Sequence, residues 1–305
     1  MSFPKVVKIV EMGPRDGLQN EKEFVPTKIK IEFINRLSRL GYTSIEATSF
    51  VAPKWIPQLA DHVEVFSNIN KAPNISYPVL VPNMQGFTEA LSLGVKEIAV
   101  FTAASESFAK KNINCTIAES ITRFIPVIEA AKKNNVRIRG YVSCSLGCPY
   151  EGEITPQAVA DVAKQLHELG CYEISLGDTI GIGTPLKAQR MIEKVASVIP
   201  IHCLAGHFHD TYGQALANIY AAMELGMNVF DSSIAGLGGC PYARGASGNV
   251  ATEDLVYMLQ GMGIHTGLNL DGIIDTSLFI CEHLGKPTRS KVAIATIAKR
   301  MSHDN

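Results

Sequence analysis

No GxGxxG follows the first apolar run of this 305-residue chain, no CxxC pair is present, no apolar stretch approaches membrane-spanning length, and neither sign of charge dominates. Each absence excludes a class. Without the glycine fingerprint, the main argument for a dinucleotide-binding open sheet is gone. The seven cysteines (Cys115, Cys144, Cys148, Cys171, Cys203, Cys240, Cys281) are odd in number and scattered, so they read as a reduced intracellular set, and no disulfide is expected. The opening Met1-Ser-Phe-Pro-Lys-Val6 lacks the charged-then-apolar pattern of a secretory leader, which makes the cytoplasm the expected compartment. A net charge of −1 and a pI near 6.7 provide no basic face for nucleic acid or an anionic membrane. A small anionic substrate needs only a few local cations.

What the chain does have is enough apolar mass to bury a large core, with 46% hydrophobic residues and a mean hydropathy of +0.11. Val6 to Val10 is a β-branched run stopped by the Gly- and Pro-containing loop Glu11 to Asn20. From Thr27 to Leu40 the residues Ile29, Phe33, Ile34, Leu37 and Leu40 keep helical spacing, and Gly41 supplies the end. That Leu-Gly ending recurs. Leu40-Gly41, Leu93-Gly94, Leu169-Gly170 and Leu225-Gly226 each close an apolar helical stripe a few residues before a new strand. Further strands are expected at about 76–81, 137–143 and 202–208, and with the first they make eight. Thr155-Pro156 and Thr184-Pro185 each offer an N-cap followed by proline at the first helical position. No linker, low-complexity tract or charge block marks a boundary. The pattern predicts an α/β fold, a single (β/α)8 TIM-barrel domain over 1–305, with the barrel at about 5–265 and a helical extension at about 270–305. An open doubly wound sheet is the alternative.

In such a barrel the carboxyl ends of the strands form the active face, and polar residues gather there. His207 and His209, two apart on one strand, point to the same side while Phe208 points away. Arg15, Asp16 and Gln19 follow the first strand, and Ser49, Ser175, Asp178 and Thr179 lie at other strand ends. Alternation sends Glu46, Arg139 and Tyr141 inward, so the charges must be paired with one another or with a metal and substrate; Arg139 is expected to be a counter-ion to Glu46 or Asp178. Asp178, between glycines, serves either a turn or acid/base work. Asp16 with the two histidines offers two nitrogens and one oxygen, a set that suits Mg²⁺ or Mn²⁺ better than a closed zinc site. The loop Ala235 to Asn249 has five glycines able to fold over a ligand, with Asn249 as the expected fourth ligand. Cys240, in its middle, is a candidate proton donor or acceptor, its thiol open to influence from a metal or Arg244.

The motifs Gly13-Pro-Arg-Asp-Gly-Leu-Gln-Asn-Glu21, Ile45-Glu-Ala-Thr-Ser-Phe50, Ser175-Leu-Gly-Asp-Thr-Ile-Gly181, Gly206-His-Phe-His-Asp210 and Gly236-Leu-Gly-Gly-Cys-Pro-Tyr-Ala-Arg-Gly-Ala-Ser-Gly-Asn249 together resemble the 3-hydroxy-3-methylglutaryl-CoA lyase family, within a broader group of barrel metallolyases and Claisen-type synthases. The resemblance spans nearly the whole chain. It implies cleavage of that acyl-CoA to acetoacetate and acetyl-CoA, a step in leucine catabolism and ketone-body metabolism, with a divalent cation held by Asp16, His207, His209 and Asn249. Arg15 would bind the thioester side and steady the enolate, and Cys240 would do acid/base work with Glu46 and Asp178 in support. Gln19, Ser49, Ser175 and Thr179 are the further substrate-binding candidates. A homodimer is the expected assembly. The alternatives are a lyase for another 3-hydroxyacyl-CoA, a synthase that condenses acetyl-CoA with a 2-oxo acid, and a non-catalytic metal-binding barrel.

Overall fold

The inner wall of the molecule is built from short strands in a computed structural model that describes residues 3–239 and 248–303. In chain order the described residues form β1 (Lys8–Glu11), β2 (Thr48–Ser49), β3 (Val79–Leu80), β4 (Glu97–Ala103), β5 (Arg137–Ser143), β6 (Glu173–Asp178), β7 (Leu204–Phe208) and β8 (Val229–Ser232). All pair in parallel in the order β1-β8-β7-β6-β5-β4-β3-β2. The two end members also meet. Glu11 N–H donates to Ser44 O at 3.1 Å and Glu46 N–H donates to Glu11 O at 2.9 Å, joining β1 to the approach of β2 and closing the ring. The fold is the expected (β/α)8 TIM barrel. The helices are α1 (Thr27–Leu37), α2 (His62–Asn68), α3 (Met84–Ser92), α4 (Glu106–Ile113), α5 (Ile117–Lys133), α6 (Pro156–Leu169), α7 (Pro185–Ala196), α8 (Ala215–Glu224), α9 (Thr252–Gly261), α10 (Leu270–His283) and α11 (Lys291–His303).

Strand alternation separates two apolar layers. Val10, Leu80, Ala99, Tyr141, Ala205 and Val229 fill the barrel, whereas Ile45, Ile98, Val142, Leu176 and Phe230 face outward onto Phe33, Val127, Leu166 and Ile219 of the helices. The predicted inward turn of Glu46, Arg139 and Tyr141 holds, because their strand neighbours belong to the outer layer. α10 packs on α1 and α9, and α11 on α9, with Ile273 and Ile280 joining the outer core.

Several boundaries differ from the sequence reading for local reasons. β1 runs from Lys8 rather than Val6, β3 keeps two ladder residues, and β7 starts at Leu204 because Ile201–Cys203 form a 3-10 turn. α1 ends at Leu37, and turns carry the chain through Leu40 to Gly41. Thr155 caps α6 by accepting from Ala158 N–H at 3.2 Å, but Thr184 makes no such bond to α7. All four Leu-Gly endings place glycine in the left-handed region, with φ of +93° at Gly41, +75° at Gly94, +113° at Gly170 and +93° at Gly226.

These glycines do not tolerate a side chain equally. A Cβ on Gly41 would sit 2.1 Å from Gly267 O, whereas one on Gly94 would meet nothing within 4 Å. Gly94→Ala is expected to cost about 1 kcal/mol, the left-handed conformation alone, and Gly41→Ala at least about twice that because backbone must move as well. Urea unfolding of the two variants checks the difference; equal losses would show that Gly41 is kept only for its φ.

Candidate active site

The residues that follow β1 wind into one turn of π-helix over Gly13–Gly17, in which Gly17 N–H donates to Met12 O at 3.0 Å. Such wide turns concentrate at functional sites. Glycine is required at both ends: a Cβ on Gly13 would lie 2.7 Å from Glu11 Oε1, and one on Gly17 2.7 Å from Ser233 Oγ. The turn puts Arg15 and Asp16 on the wall of a cavity of about 1400 Å³ that opens at the carboxyl ends of the strands. Arg15 is held from two sides. Its Nε donates to Glu46 Oε2 at 2.9 Å and its Nη1 to Asp16 Oδ1 at 2.8 Å, while the guanidinium carbon sits 5.5 Å from the centre of the Tyr141 ring. Its Nη2 also lies 2.8 Å from Glu46 Oε2, so one N–H on each of Nη1 and Nη2 is left for a substrate oxygen.

Across the cavity β7 presents His207 and His209 to the same point. Their Nε2 atoms are 3.4 Å apart and lie 3.8 Å and 3.9 Å from Asp16 Oδ2. Each separation is shorter than two metal–ligand bonds of about 2.1 Å, so one ion can touch all three atoms. Among the described residues this is the cluster of carboxylate, imidazole or thiol groups able to hold a metal. Burial would raise the Asp16 carboxyl, but Arg15, the two histidines and the Asn249 amide together pull it down to about 2. Burial and the neighbouring His207 push His209 down to about 4, so its imidazole is neutral and able to ligate. Asn249 is bridged to His209 through the backbone, and its Nδ2 donates to Asp16 Oδ2 at 2.8 Å and to Leu237 O at 3.1 Å. A half-turn of this amide would offer its carbonyl oxygen instead.

Below the cluster lies a residue that the sequence reading did not single out. Asp231 on β8 takes His207 Nδ1 at 3.0 Å, Arg139 through Nη1 at 3.0 Å and Nη2 at 2.7 Å, and Ser175 Oγ at 2.8 Å. Burial opposes its ionisation, but Arg139 and His207 hold it well below the usual carboxylate range. Arg139 is therefore a counter-ion, as expected, but to Asp231 and to Glu173 (Nε to Oε1, 2.6 Å) rather than to Glu46 or Asp178. The signal was available. The alternation that turned Glu46 inward also turns Asp231 inward between the apolar Val229 and Phe230 and the strand end.

The other candidates divide. Gln19, Ser175 and Thr179 line the cavity with Arg15, Asp16 and the histidines. Ser175 is already spent on Asp231, and Thr179 Oγ1 accepts from Cys144 N–H at 2.8 Å. Gln19 Oε1 is buried with no hydrogen-bond partner among the described residues. Ser49 does not line the cavity, and its buried hydroxyl has no partner there either. Glu46 sits behind Arg15, also accepting from Tyr141 OH at 3.1 Å, with burial raising its carboxyl against the pull of Arg15. Asp178 is off the cavity wall as well. Its oxygens accept from Ile182 N–H at 3.2 Å and Gly183 N–H at 2.8 Å, which gives it the turn-forming role, and burial raises it to about 6 against those bonds. Cys240 and Arg244 lie outside the described residues. The stem of their loop is anchored by Glu253, both of whose oxygens accept from Ala235 N–H at 3.0 Å and so hold Ala235 at a φ of +60°.

A family model described as HMGL-like matches residues 6–280. The bovine protein named "Hydroxymethylglutaryl-CoA lyase, mitochondrial" is 60% identical over 295 residues, which cover 97% of this chain and 91% of that one. The human "3-hydroxy-3-methylglutaryl-CoA lyase, cytoplasmic" is 61% identical over 294 residues, covering 96% and 80% respectively. Among solved structures, an HMG-CoA lyase from Acinetobacter baumannii in complex with coenzyme A and 3-methylmalate superposes with a TM-score of 0.92 at 40% identity, covering 97% of this chain and 96% of that one.

The anchor at Glu253 has a pH signature. Burial pushes its carboxyl from the ordinary 4.5 up to about 8, with Glu11 adding to the rise and the Ala235 N–H opposing it. The folded protein therefore holds this proton more tightly than the unfolded chain, so the stabilisation is complete below 4.5 and is lost as pH rises through about 8. Unfolding free energy is expected to fall by up to about 1.4 kcal/mol per pH unit within that window. Glu253→Gln, which keeps an acceptor for Ala235 but cannot ionise, is expected to flatten the slope; an unchanged slope in denaturant titrations would mean that the carboxyl does not carry it.

Proposed function

This chain belongs to the HMGL-like family, and we propose that it cleaves 3-hydroxy-3-methylglutaryl-CoA to acetoacetate and acetyl-CoA with the help of a divalent cation, Mg²⁺ or Mn²⁺. The observation that carries the reading is the meeting of Asp16, His207 and His209 beside the clamped Arg15 on one cavity wall. The cavity, about 1400 Å³, leaves room for the acyl part of an acyl-CoA and more. Lys22, Lys110, Lys111 and Arg123, which line the cavity, suit the CoA phosphates, and the exposed Phe24 and Trp55 line it too, each with a lysine ammonium over one ring face.

Cleavage requires that the 3-hydroxyl lose its proton and that the C2–C3 bond break with its electron pair passing into the thioester as an enolate. C3 becomes the ketone of acetoacetate, and C2 then takes a proton to give acetyl-CoA. A divalent ion held by Asp16, His207, His209 and Asn249 supplies Lewis acidity toward the substrate oxygens and the hydroxyl, an effect worth several kcal/mol. Arg15 places a fixed positive charge for the enolate oxygen, worth on the order of 3 kcal/mol for a preorganised donor. Glu46 keeps that guanidinium in place, since its Oε2 is bound to Arg15 and Tyr141. Proton transfer to and from substrate carbon and oxygen is proposed for Cys240, with Glu46, whose Oε1 has no hydrogen-bond partner among the described residues, and Asp178 in support. Gln19 and Thr179 are proposed to contact the acyl group from the cavity wall.

No helix among the described residues is long and apolar enough to cross a membrane. One of the two relatives is named cytoplasmic and the other mitochondrial; a cytoplasmic location is the reading proposed from the sequence. A homodimer is the proposed assembly, the outer helices leaving apolar side chains such as Tyr257 and Ile294 uncovered.

Acetoacetate release from the CoA thioester, followed with Mg²⁺ and after chelation, tests the activity: turnover with the ion and none without it is expected, and no turnover in either condition would overturn the reading. Asp16→Ala is expected to lower Mn²⁺ affinity and activity together, and a native binding isotherm would remove Asp16 from the ligand set. Arg15→Lys and Cys240→Ser should bind the ion as the native protein does yet turn over about a hundredfold or more slowly, because an ammonium lacks the planar fork and a hydroxyl is a far weaker acid. Native rates in either variant would take that residue out of the mechanism.

A further inference from the structure

We propose that Asp231 is a positioning residue that sets the tautomer of His207, so that the imidazole turns a bare Nε2 lone pair toward Asp16 and His209. The inference rests on the metal-site reading above. His207 and Asp231 are register partners on the adjacent parallel strands β7 and β8, so the ladder itself brings their inward side chains level. His207 Nδ1 lies 3.0 Å from Asp231 Oδ2. The Asp231 oxygen, already accepting from Arg139 and Ser175, accepts here as well, so Nδ1 carries a proton, and in the neutral imidazole that leaves Nε2 as the acceptor. The opposite tautomer would put two lone pairs face to face at Nδ1, a loss that a long Nε2–H donation to the other imidazole at 3.4 Å offsets only in part.

A plain buried ion pair would not need this contact. Asp231 already accepts two bonds from the Arg139 fork, at 3.0 Å and 2.7 Å, and one from Ser175 Oγ at 2.8 Å. Those bonds hold both carboxylate oxygens and prevent the group from rotating away from His207. Arg139 is in turn fixed by its register partner Glu173, at 2.6 Å through Nε, and by Tyr141 OH at 2.8 Å. The chain of contacts thus runs from the barrel interior to the imidazole, and each member is buried. Carboxylates that orient a ligating histidine typically change metal affinity by about 10–100-fold when removed.

The test uses the full chain, metal-free, with histidine ¹⁵N-labelled. In the native protein the His207 resonance, assigned through His207→Gln and followed to a pH at which the ring is neutral, is expected to show the proton on Nδ1; a neutral ring with its proton on Nε2 would overturn the proposal, and this reading needs neither metal nor variant. Asp231→Asn is expected to populate the Nε2–H form and to weaken Mn²⁺ binding in calorimetry by about 10–100-fold. Glu173→Gln, which removes another partner of the same arginine but touches neither histidine, should lower the melting temperature while leaving the tautomer and the Mn²⁺ isotherm as in the native protein. Native Mn²⁺ affinity in Asp231→Asn, or an equal loss in Glu173→Gln, would reduce Asp231 to a structural anion. Failure of the native protein to bind Mn²⁺ would instead remove the metal-site reading, with the tautomer still decided by the spectrum; if Asp231→Asn does not fold, the native spectrum decides alone.

Discussion

Arg139 and Asp231, joined by two hydrogen bonds inside the barrel, let the rest of the interior carry charge. From this pair one line of contacts passes through Glu173 to Lys8, and another through Tyr141 and Glu46 to Arg15 and Asp16. A third reaches His207 directly. An unpaired charge at any of these points would cost several kcal/mol, and losing one partner of a buried pair costs about 3–5 kcal/mol. The network avoids that cost by setting opposite charges beside one another, with the neutral Tyr141 hydroxyl bridging Arg139 and Glu46 and the His207 imidazole closing the third line. Its outermost member, Asp16, faces the open cavity with its neighbours lowering its carboxyl to about 2, so a permanent negative charge stands where a cation would bind.

The barrel makes this economical because strands that are distant in sequence end on the same rim. Asp16 leaves the end of the first strand and His207 and His209 the seventh, yet their ligand atoms come within 3.9 Å. The π turn after β1 and the parallel ladder of β7 with β8 contribute in different ways: the turn aims Arg15 and Asp16 into the cavity, and the ladder sets His207 beside Asp231. Cleavage of a C–C bond next to a thioester needs a fixed positive charge and a Lewis acid side by side. In the proposed reaction Arg15, bound on one side to Glu46 and on the other to Asp16, would link the two requirements.

Much of this was legible in the residues. The four Leu-Gly endings marked helix ends because a left-handed residue is needed where the chain turns back toward the barrel, and period-two alternation identified the inward charges on the second and fifth strands. Other features were not legible for physical reasons. Lys30 lies in the apolar stripe of α1 and is buried, its ammonium held by Asp61 at 2.8 Å and by Gln58 O. Both partners lie about thirty residues on. Asp178 sits in a motif that permits either a turn or proton transfer, and only the positions of the Ile182 and Gly183 N–H groups assign its oxygens to the turn.

By itself the sequence determined the order of strands and helices, the parity that turns His207 and His209 to one face, and the residue types able to bind an ion and stabilise an enolate, since these follow from local periodicity and side-chain chemistry. Only the tertiary structure decided which charges pair: that Arg139 belongs to Asp231 and Glu173, that Glu46 belongs to Arg15, and that Ser175 serves the carboxylate below the histidines. Pairing depends on the register between neighbouring strands and on ring closure. Both are set by long-range backbone hydrogen bonds and packing, which no stretch of the chain contains alone.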